Sequence, residues 1–469
     1  MKKITPAELA QQYEHIAAVC RINDAKLTRP GCFIRTFGCQ QNEADSERYA
    51  GLAESMGYEI VDAPEKASLI LINTCAVREH AEMRAMSITG QFKHLKAANP
   101  DLIIGMCGCM VSQEHRLNQI KGGFPYIDFL LGAGMMHRLP ELVHSRMNKD
   151  KRSFLLDEPE GCLAEGLPVR RESDIKAWVS IMYGCNNFCT YCVVPHVRGR
   201  ERSRARADIL AEVKELIADG CREITLLGQN VNSYGKDLGS EYDFADLVSE
   251  ICELDGDFIL RFMTSHPKDA SQKLIDAMAS HEKCARQFHL PLQSGSARVL
   301  TAMNRRYTPE SYLSTVEALR AAMPDIAISS DIIVGFPGET DEEFAETLAM
   351  LERVRFDMVY SFIYSPRALT PAASMDGQIS AEVKSARMNA LLNCQNAISL
   401  ERNLAAVGSV QRVLLEGASK SDESMLTGRA DSNKLVHIPR AGADALVGRF
   451  VDVRITRAET FALFGELAD

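Results

Sequence analysis

The sequence lacks long hydrophobic runs: its longest unbroken apolar stretch, around residues 102–111, is about ten residues, and a membrane span needs roughly 18. No spanning helix and no membrane partner are therefore expected. Residues 1–30 also lack the apolar core of a signal peptide. Lys2 and Lys3 are followed by Glu8, Glu14, Arg21 and Asp24, so export is not expected. Excess positive charge is missing too. The chain has 53 Lys and Arg against 63 Asp and Glu, a net charge of −10, so any nucleic-acid site has to be a local patch. With 46% apolar and 25% charged residues, the chain is neither disordered nor of low complexity. A length of 469 residues suggests about three domains.

Cysteine, by contrast, is abundant, with fourteen residues. The chain is too long for a small disulfide-stapled scaffold, and export is not expected. Metal-bound or catalytic cysteines in a reducing, cytoplasmic setting are the expectation.

Five segments follow from the pattern. Residues 1–30 read as a helical leader (Pro6 to Arg21) and a polar linker. Residues 31–150 alternate strands (Cys32–Gly38, Ser68–Thr74, Asp101–Gly108, Tyr126–Leu131) with helices (Asn42–Met56, Arg78–Ala98, Ser112–Ile120, and one from His137). That alternation predicts an α/β, flavodoxin-like parallel sheet. Residues 151–174, charged and carrying Gly161, Gly166 and Pro168, read as a linker. Residues 175–404 hold six strand candidates, Trp178–Met182, Glu223–Leu227, Phe258–Met263, Gln287–Pro291, Ala327–Val334 and Met358–Tyr364, with helices between them. They predict a partial (β/α)6 barrel, whose functional residues belong on loops at the C-terminal ends of strands. Residues 405–469 carry short β-type runs broken by glycines and predict a small antiparallel β-barrel of the kind used for oligonucleotide contact. Residues 402–469 have nine Lys or Arg and nine Asp or Glu, so charge alone does not mark an RNA-binding domain.

Cys185, Cys189 and Cys192 form a C-x3-C-x2-C run directly after the first barrel strand. Three thiolates on one loop can hold three corners of a [4Fe–4S] cube. The fourth iron is then open to an amine and a carboxylate, as S-adenosylmethionine is held in radical enzymes. A Cys3His zinc site with His196 is the alternative. Cys39, Cys75 and Cys109 each end an apolar strand run and precede a helix. In a parallel sheet these positions gather at one edge, outside the carboxyl ends of the strands. They make a second three-cysteine site with an open iron, unless they are simply buried core cysteines. Cys107 competes with Cys109 but lies inside its strand. Cys20, Cys32, Cys162, Cys221, Cys252, Cys284 and Cys394 match no ligand spacing.

Barrel strands end in polar clusters at residues 228–232, 264–266, 293–296 and 335–339. Gln229, Asn230, Ser265, Gln293 and the in-strand Asp331 are candidates for hydrogen bonds to a cofactor's amino acid, ribose and adenine. Helix capping is the simpler alternative. His266, before Pro267, reads as a turn residue. Arg198, Arg200, Arg202 and Arg204 form, with Arg206, a basic segment offset only by Glu201, with phosphates as the expected partner.

Further motifs are Thr36-Phe-Gly-Cys-Gln-Gln-Asn42, Asn73-Thr-Cys-Ala-Val77, Gly108-Cys-Met110 and the Gly335–Glu339 turn. With Cys185–Cys192, and with Val413–Gly417, Leu426–Arg429 and Phe450–Val453, the chain resembles the radical S-adenosylmethionine methylthiotransferases over nearly its whole length. Leu227-Gly-Gln-Asn-Val-Asn232, Arg261–Pro267 and Val193–Pro195 resemble most the branch acting on N6-isopentenyladenosine at position 37 of tRNA. The ribosomal-protein branch usually has Asp where Asn230 stands, and the threonylcarbamoyladenosine branch differs in the same stretch. Arg367-Ala368-Leu369-Thr370 departs from the pattern, in which Gly before Thr is more typical.

The resemblance implies a cluster on Cys185, Cys189 and Cys192 that binds and reductively cleaves S-adenosylmethionine, so that a hydrogen is removed from C2 of the adenine. It implies a second [4Fe–4S] cluster on Cys39, Cys75 and Cys109 that carries the inserted sulfur, and a methyl group from a second S-adenosylmethionine. Implied partners are a tRNA anticodon stem-loop, a flavodoxin- or ferredoxin-type electron donor and proteins that supply sulfur and clusters. The C-terminal barrel, of the TRAM kind, would grip the RNA stem, and the arginine segment would guide the loop. A methylthiotransferase acting on another tRNA base or a ribosomal-protein aspartate is the enzymatic alternative. A non-enzymatic RNA-binding iron–sulfur protein is the other.

Overall fold

Residues 69–72, Leu-Ile-Leu-Ile, are apolar on both faces, the signature of a strand covered on both sides. In the computed structural model, which describes residues 2–77, 79–156 and 162–468, they lie within a six-stranded sheet. Its order is Glu59–Ile60, Gly31–Thr36, Ala67–Thr74, Ile103–Gly108, Phe129–Leu131 and Ser153–Leu155, with every pair parallel. One face packs Leu69, Leu71, Tyr49 and Cys107, the other Ile70, Ile72, Met106 and Met110.

The leader helix is Pro6–Asp24, capped by Thr5 and Glu8 in a reciprocal box. It lies against the helix Leu139–Met147 and sends Ile16 and Val19 into the first of these cores. Two expectations need correction. The helix expected over 78–98 is two, Glu79–Gln91 and Lys93–Ala98, because Phe92 turns inward and sets its ring edge-on to Phe33. Residues 151–174 are more than a linker. Ser153–Leu155 is the sixth strand, and Cys162–Leu163 pairs with Lys2–Lys3. Arg78 and Gly161 lie outside the described residues.

The central region is the expected partial barrel. Its strands are Lys176–Ser180, Glu223–Leu227, Ile259–Phe262, Gln287–His289, Ala327–Val334 and Met358–Ile363. They form two three-stranded parallel ladders joined by a single bridge, Leu260 to Cys284. Period-2 alternation places Ile328 and Ile332 under the helices and Ser329 and Asp331 on the opposite, inner face.

Residues 410–467 close a five-stranded barrel with core residues Val413, Leu426, Val436, Val453 and Leu463. It is antiparallel except for one pair, Leu435–Pro439 with Leu463–Leu467, which runs parallel. This barrel docks at the N-terminal ends of the central strands. Arg261 donates to the carbonyls of Ala430 and Asp431 at 2.8 Å, and Lys176 pairs with Glu416 at 2.5 Å. No helix among the described residues is long and apolar enough to cross a membrane.

Candidate functional site

Cys39, Cys75 and Cys109 follow three adjacent strands at the C-terminal edge of the first sheet. Two glycines make the convergence possible. Gly38 has φ +142, and a Cβ there would stand 2.7 Å from the Cβ of Cys75. Gly108 has φ +94, and a Cβ would stand 2.4 Å from the Thr74 carbonyl oxygen. Both lie in a region that side chains other than glycine rarely adopt.

Two buried asparagines tie the loops together. Asn42 Oδ1 accepts from the Cys39 N–H, and its Nδ2 donates to the Thr74 carbonyl at 3.1 Å. Asn73 Nδ2 donates to the Asn42 carbonyl at 2.8 Å and to Ser46 Oγ at 2.9 Å. In the sequence both residues stand inside the cysteine motifs with no role assigned. Their offsets, three after Cys39 and two before Cys75, were the available signal.

The three thiols share one electrostatic environment. A hydrogen bond from Cys75, helped by Arg198, holds the Cys39 thiol below its ordinary value. The same bond and burial raise Cys75. Burial lifts Cys109 to about 11 against the opposing pull of Arg198. Cys107 points instead into the apolar core beside Tyr49 and is fully buried.

The second triad sits on a loop that closes on itself. Met182–Tyr183 pairs antiparallel with Arg202–Ser203, and the Cys185 N–H donates to the Gly199 carbonyl at 3.1 Å. Gly184, at φ +75, is required because a Cβ would meet the Arg200 carbonyl oxygen at 2.0 Å. Asn304 Nδ2 donates to the Asn187 and Phe188 carbonyls. Arg305 Nη1 lies 3.5 Å from Cys189 Sγ and Nη2 donates to the Pro291 carbonyl. Burial and the neighbouring thiols push Cys185 and Cys192 up to about 12. Loading these sites with metal therefore has to release protons. His196 is exposed, edge-on to Phe188, and among the described residues no three His, Cys, Asp or Glu side chains form a single-ion metal site. The zinc alternative gains no support. A cube instead takes each thiolate on a different iron.

Polar atoms without partners mark the barrel mouth. Gln229 Oε1, Asn230 Oδ1, Ser265 Oγ and both amide atoms of Asn232 are buried with no hydrogen-bond partner. Buried polar groups are nearly always satisfied, so this set leaves hydrogen-bonding capacity open at neighbouring strand ends. The donors and acceptors suit an amino acid and ribose hydroxyls, which fits S-adenosylmethionine. Asn230 Nδ2 is already held by Asp269 at 2.8 Å. Asn232, not among the sequence candidates, belongs to the same set as Gln229 and Asn230. Gln293 is buried at φ +69, and its N–H donates to the Asp331 carbonyl. Asp331 stands 3.5 Å from His289 Nε2. His266 caps the next turn through its Nδ1, as a turn residue should.

The arginine segment differs from the expectation of a phosphate-facing stretch. Arg198, Arg202 and Arg204 are buried and engaged within the chain. Arg198 bonds Cys109 and Asp45, and Arg202 bonds the carbonyls of Arg198 and Arg200. Arg204 pairs with Glu165 and Glu212. Arg206 is exposed but paired with Glu250. Arg200 is exposed and lies 4.4 Å over the Phe188 ring. The sequence spacing does not reveal this because Asp45, Glu165 and Glu250 lie 153, 39 and 44 positions from their arginines.

Three family models match the chain: Radical SAM superfamily over residues 179–351, Uncharacterized protein family UPF0004 over 31–132 and TRAM domain over 405–468. The tRNA-2-methylthio-N(6)-dimethylallyladenosine synthase of Thermoanaerobacter sp. (strain X514) is 47% identical over 466 residues, covering 99% of this chain and 98% of that protein. The synthase of the same name from Carboxydothermus hydrogenoformans is 49% identical over 437 residues, covering 93% and 98%. Among solved structures, a radical S-adenosylmethionine methyltransferase from Kitasatospora setae with cobalamin and a [4Fe–4S] cluster bound shares the fold. Its TM-score is 0.55 at 14% identity over 74% of each chain. The chain belongs to the radical S-adenosylmethionine methylthiotransferase family, among the tRNA-2-methylthio-N(6)-dimethylallyladenosine synthases.

Proposed function

We propose that this chain replaces the C2 hydrogen of N6-isopentenyladenosine at position 37 of tRNA with a methylthio group. The observation that carries the reading is the meeting of two cysteine triads, each at the C-terminal edge of a parallel sheet, across the short segment Cys192–Arg198. Val193 and Val197 of that segment pack on Cys109 and Ala76. The names of the full-length relatives support the substrate.

Cys185, Cys189 and Cys192 would hold the cluster that binds S-adenosylmethionine, and Cys39, Cys75 and Cys109 the auxiliary cluster. When bound, these groups supply hydrogen abstraction, the inserted sulfur and, from a second S-adenosylmethionine, the methyl group. The protein's part is positioning and exclusion of water. Gln229, Asn230, Asn232 and Ser265 offer unpartnered polar atoms at the barrel mouth, and Gln293 and Asp331 line its far side. Cys185 and Cys189 are buried, which would limit solvent at the first of these clusters. An unpaired loop base can be splayed out and read singly, whereas a base in an A-form helix cannot. The C-terminal barrel would hold the stem, with Arg200 as the free cation of its segment. A one-electron donor of flavodoxin or ferredoxin type and proteins that rebuild the sulfur complete the partners, in the cytoplasm where tRNA and reducing conditions coincide.

Nucleoside mass spectrometry on tRNA from a host lacking its own methylthiotransferases tests this reading. Expression of the chain should add methylthio groups to isopentenyladenosine. Methylthiolation of threonylcarbamoyladenosine instead, or no change with both clusters intact, would overturn it.

A further inference from the structure

Arg198 is the residue where the two halves of the site touch. It follows the short helix Val194–Val197, which starts two residues after Cys192. Its side chain leaves the barrel domain and enters the first domain. Nε donates to Cys109 Sγ at 3.0 Å, and Nη2 pairs with Asp45 Oδ2 at 2.7 Å. Arg198 is 8% exposed and Asp45 is 2% exposed. Asp45 lies on the helix Gln40–Ser55, which begins immediately after Cys39. The fork is fixed from behind, because Gln41 Nε2 donates to Asp45 Oδ1 and to Ser180 Oγ at the end of the first barrel strand.

Chemistry makes this choice of residue specific. A buried guanidinium is costly without an anionic partner. Asp45 supplies one such partner, and the Cys109 sulfur, as a thiolate once it ligates metal, would supply a second. The planar fork serves both at once, which a lysine ammonium on one point cannot do. A hydrogen bond from a cation to a ligand sulfur stabilises the more negative, reduced state of an iron–sulfur cluster, a known lever on its potential.

We propose that Arg198 is a positioning residue for the auxiliary cluster: reaching across from the radical domain, it orients the Cys109 thiolate and raises the reduction potential of the cluster that Cys109 would help hold. The proposal rests on the two-cluster reading and is independent of the tRNA substrate. It also accounts for an arginine in the segment that is sealed from phosphate.

The test isolates each cluster in the full chain. In one background Cys185, Cys189 and Cys192 are all changed to Ala, leaving the auxiliary site. In the other, Cys39, Cys75 and Cys109 are changed. Each is reconstituted anaerobically with iron and sulfide, assayed for both, and titrated potentiometrically with electron paramagnetic resonance detection. In the auxiliary background, Arg198→Met should weaken stabilisation of the reduced form about tenfold, a shift of about 59 mV to more negative potential for one electron. Arg198→Lys, which keeps the charge but loses the fork, should shift it less in the same direction. Neither variant should move the other cluster. An unmoved auxiliary potential at full iron content, or an equal shift in both backgrounds, would overturn the proposal. If a variant fails to load, loss confined to the auxiliary background supports the proposal, and loss in both overturns it.

Discussion

Arg204 and Arg200 stand four positions apart in one arginine run, yet they are physically different residues. Arg204 is buried between Glu165 and Glu212, while Arg200 faces solvent over an aromatic ring. Arg204→Glu would set a third carboxylate against two and should cost on the order of 3–5 kcal/mol in stability, read by urea unfolding. Arg200→Glu should leave stability within about 0.5 kcal/mol. It should weaken tRNA binding and reduce the salt slope by about one. Equal loss of stability in the two variants would contradict this. His266 gives a second test at this scale. Burial, and after it Arg305 and Lys268 nearby, lower its pKa to about 2 in the folded chain. Its unfolded value is about 6.5, so the folded state excludes a proton that the unfolded state takes up. Its share of stability is complete above about pH 6.5 and falls by roughly 1.4 kcal/mol per unit below it, down to the folded value. His266→Asn should flatten that part of the stability–pH curve, and an unchanged slope would contradict the assignment. Cysteine placement was legible in the sequence because strand ends are local patterns. Arginine burial was not, because its causes, Asp45, Glu165 and Glu212, come from other segments.

At the scale of elements, the segment 367–370 shows how a local departure meets a fixed backbone. Leu369 adopts φ +73 and is 56% exposed. A left-handed conformation costs a residue with a Cβ roughly 1–2 kcal/mol, and the exposed side chain has little packing to offset it. The position suits the glycine that the family pattern carries. Leu369→Gly should therefore raise stability by about 0.5–1 kcal/mol, after the greater unfolded-state freedom of glycine is subtracted. A lower thermal midpoint would contradict this. Other elements divide in the same way. The runs at Ala67–Thr74 and Ile103–Gly108 could be read because apolar residues fill both faces. Ser153–Leu155 is three residues long among charges, and only the neighbouring strand Phe129–Leu131 makes it a strand. The break at Phe92 is also tertiary in origin, since it follows from where the sheet's core lies.

At the scale of the whole molecule, the central barrel carries its own cysteine loop and the C-terminal barrel at opposite ends of its strands. The Cys185–Cys192 loop lies at the C-terminal ends, where the three cysteine loops of the first sheet meet it. The C-terminal barrel closes the N-terminal ends through Arg261, Lys176 and Glu416. A five-residue strand spans about 17 Å, so RNA held by the barrel would reach the cysteine sites with a different part of its length than the part held. The first domain completes the site from the other side. Arg367 donates to the Val77 carbonyl and Ser365 bonds Glu79, fastening the end of the last barrel strand beside the loop after Cys75. In the proposed reaction, two separate three-cysteine sites act together. Iron quantification with S-adenosylmethionine cleavage, on chains lacking one triad or the other, tests it most directly. Changing Cys39, Cys75 and Cys109 to Ala should leave about half the iron and retain cleavage to 5′-deoxyadenosine. Changing Cys185, Cys189 and Cys192 should leave about half the iron and abolish cleavage. Loss of all iron from either chain, or loss of cleavage from the first, would rule out two independent sites.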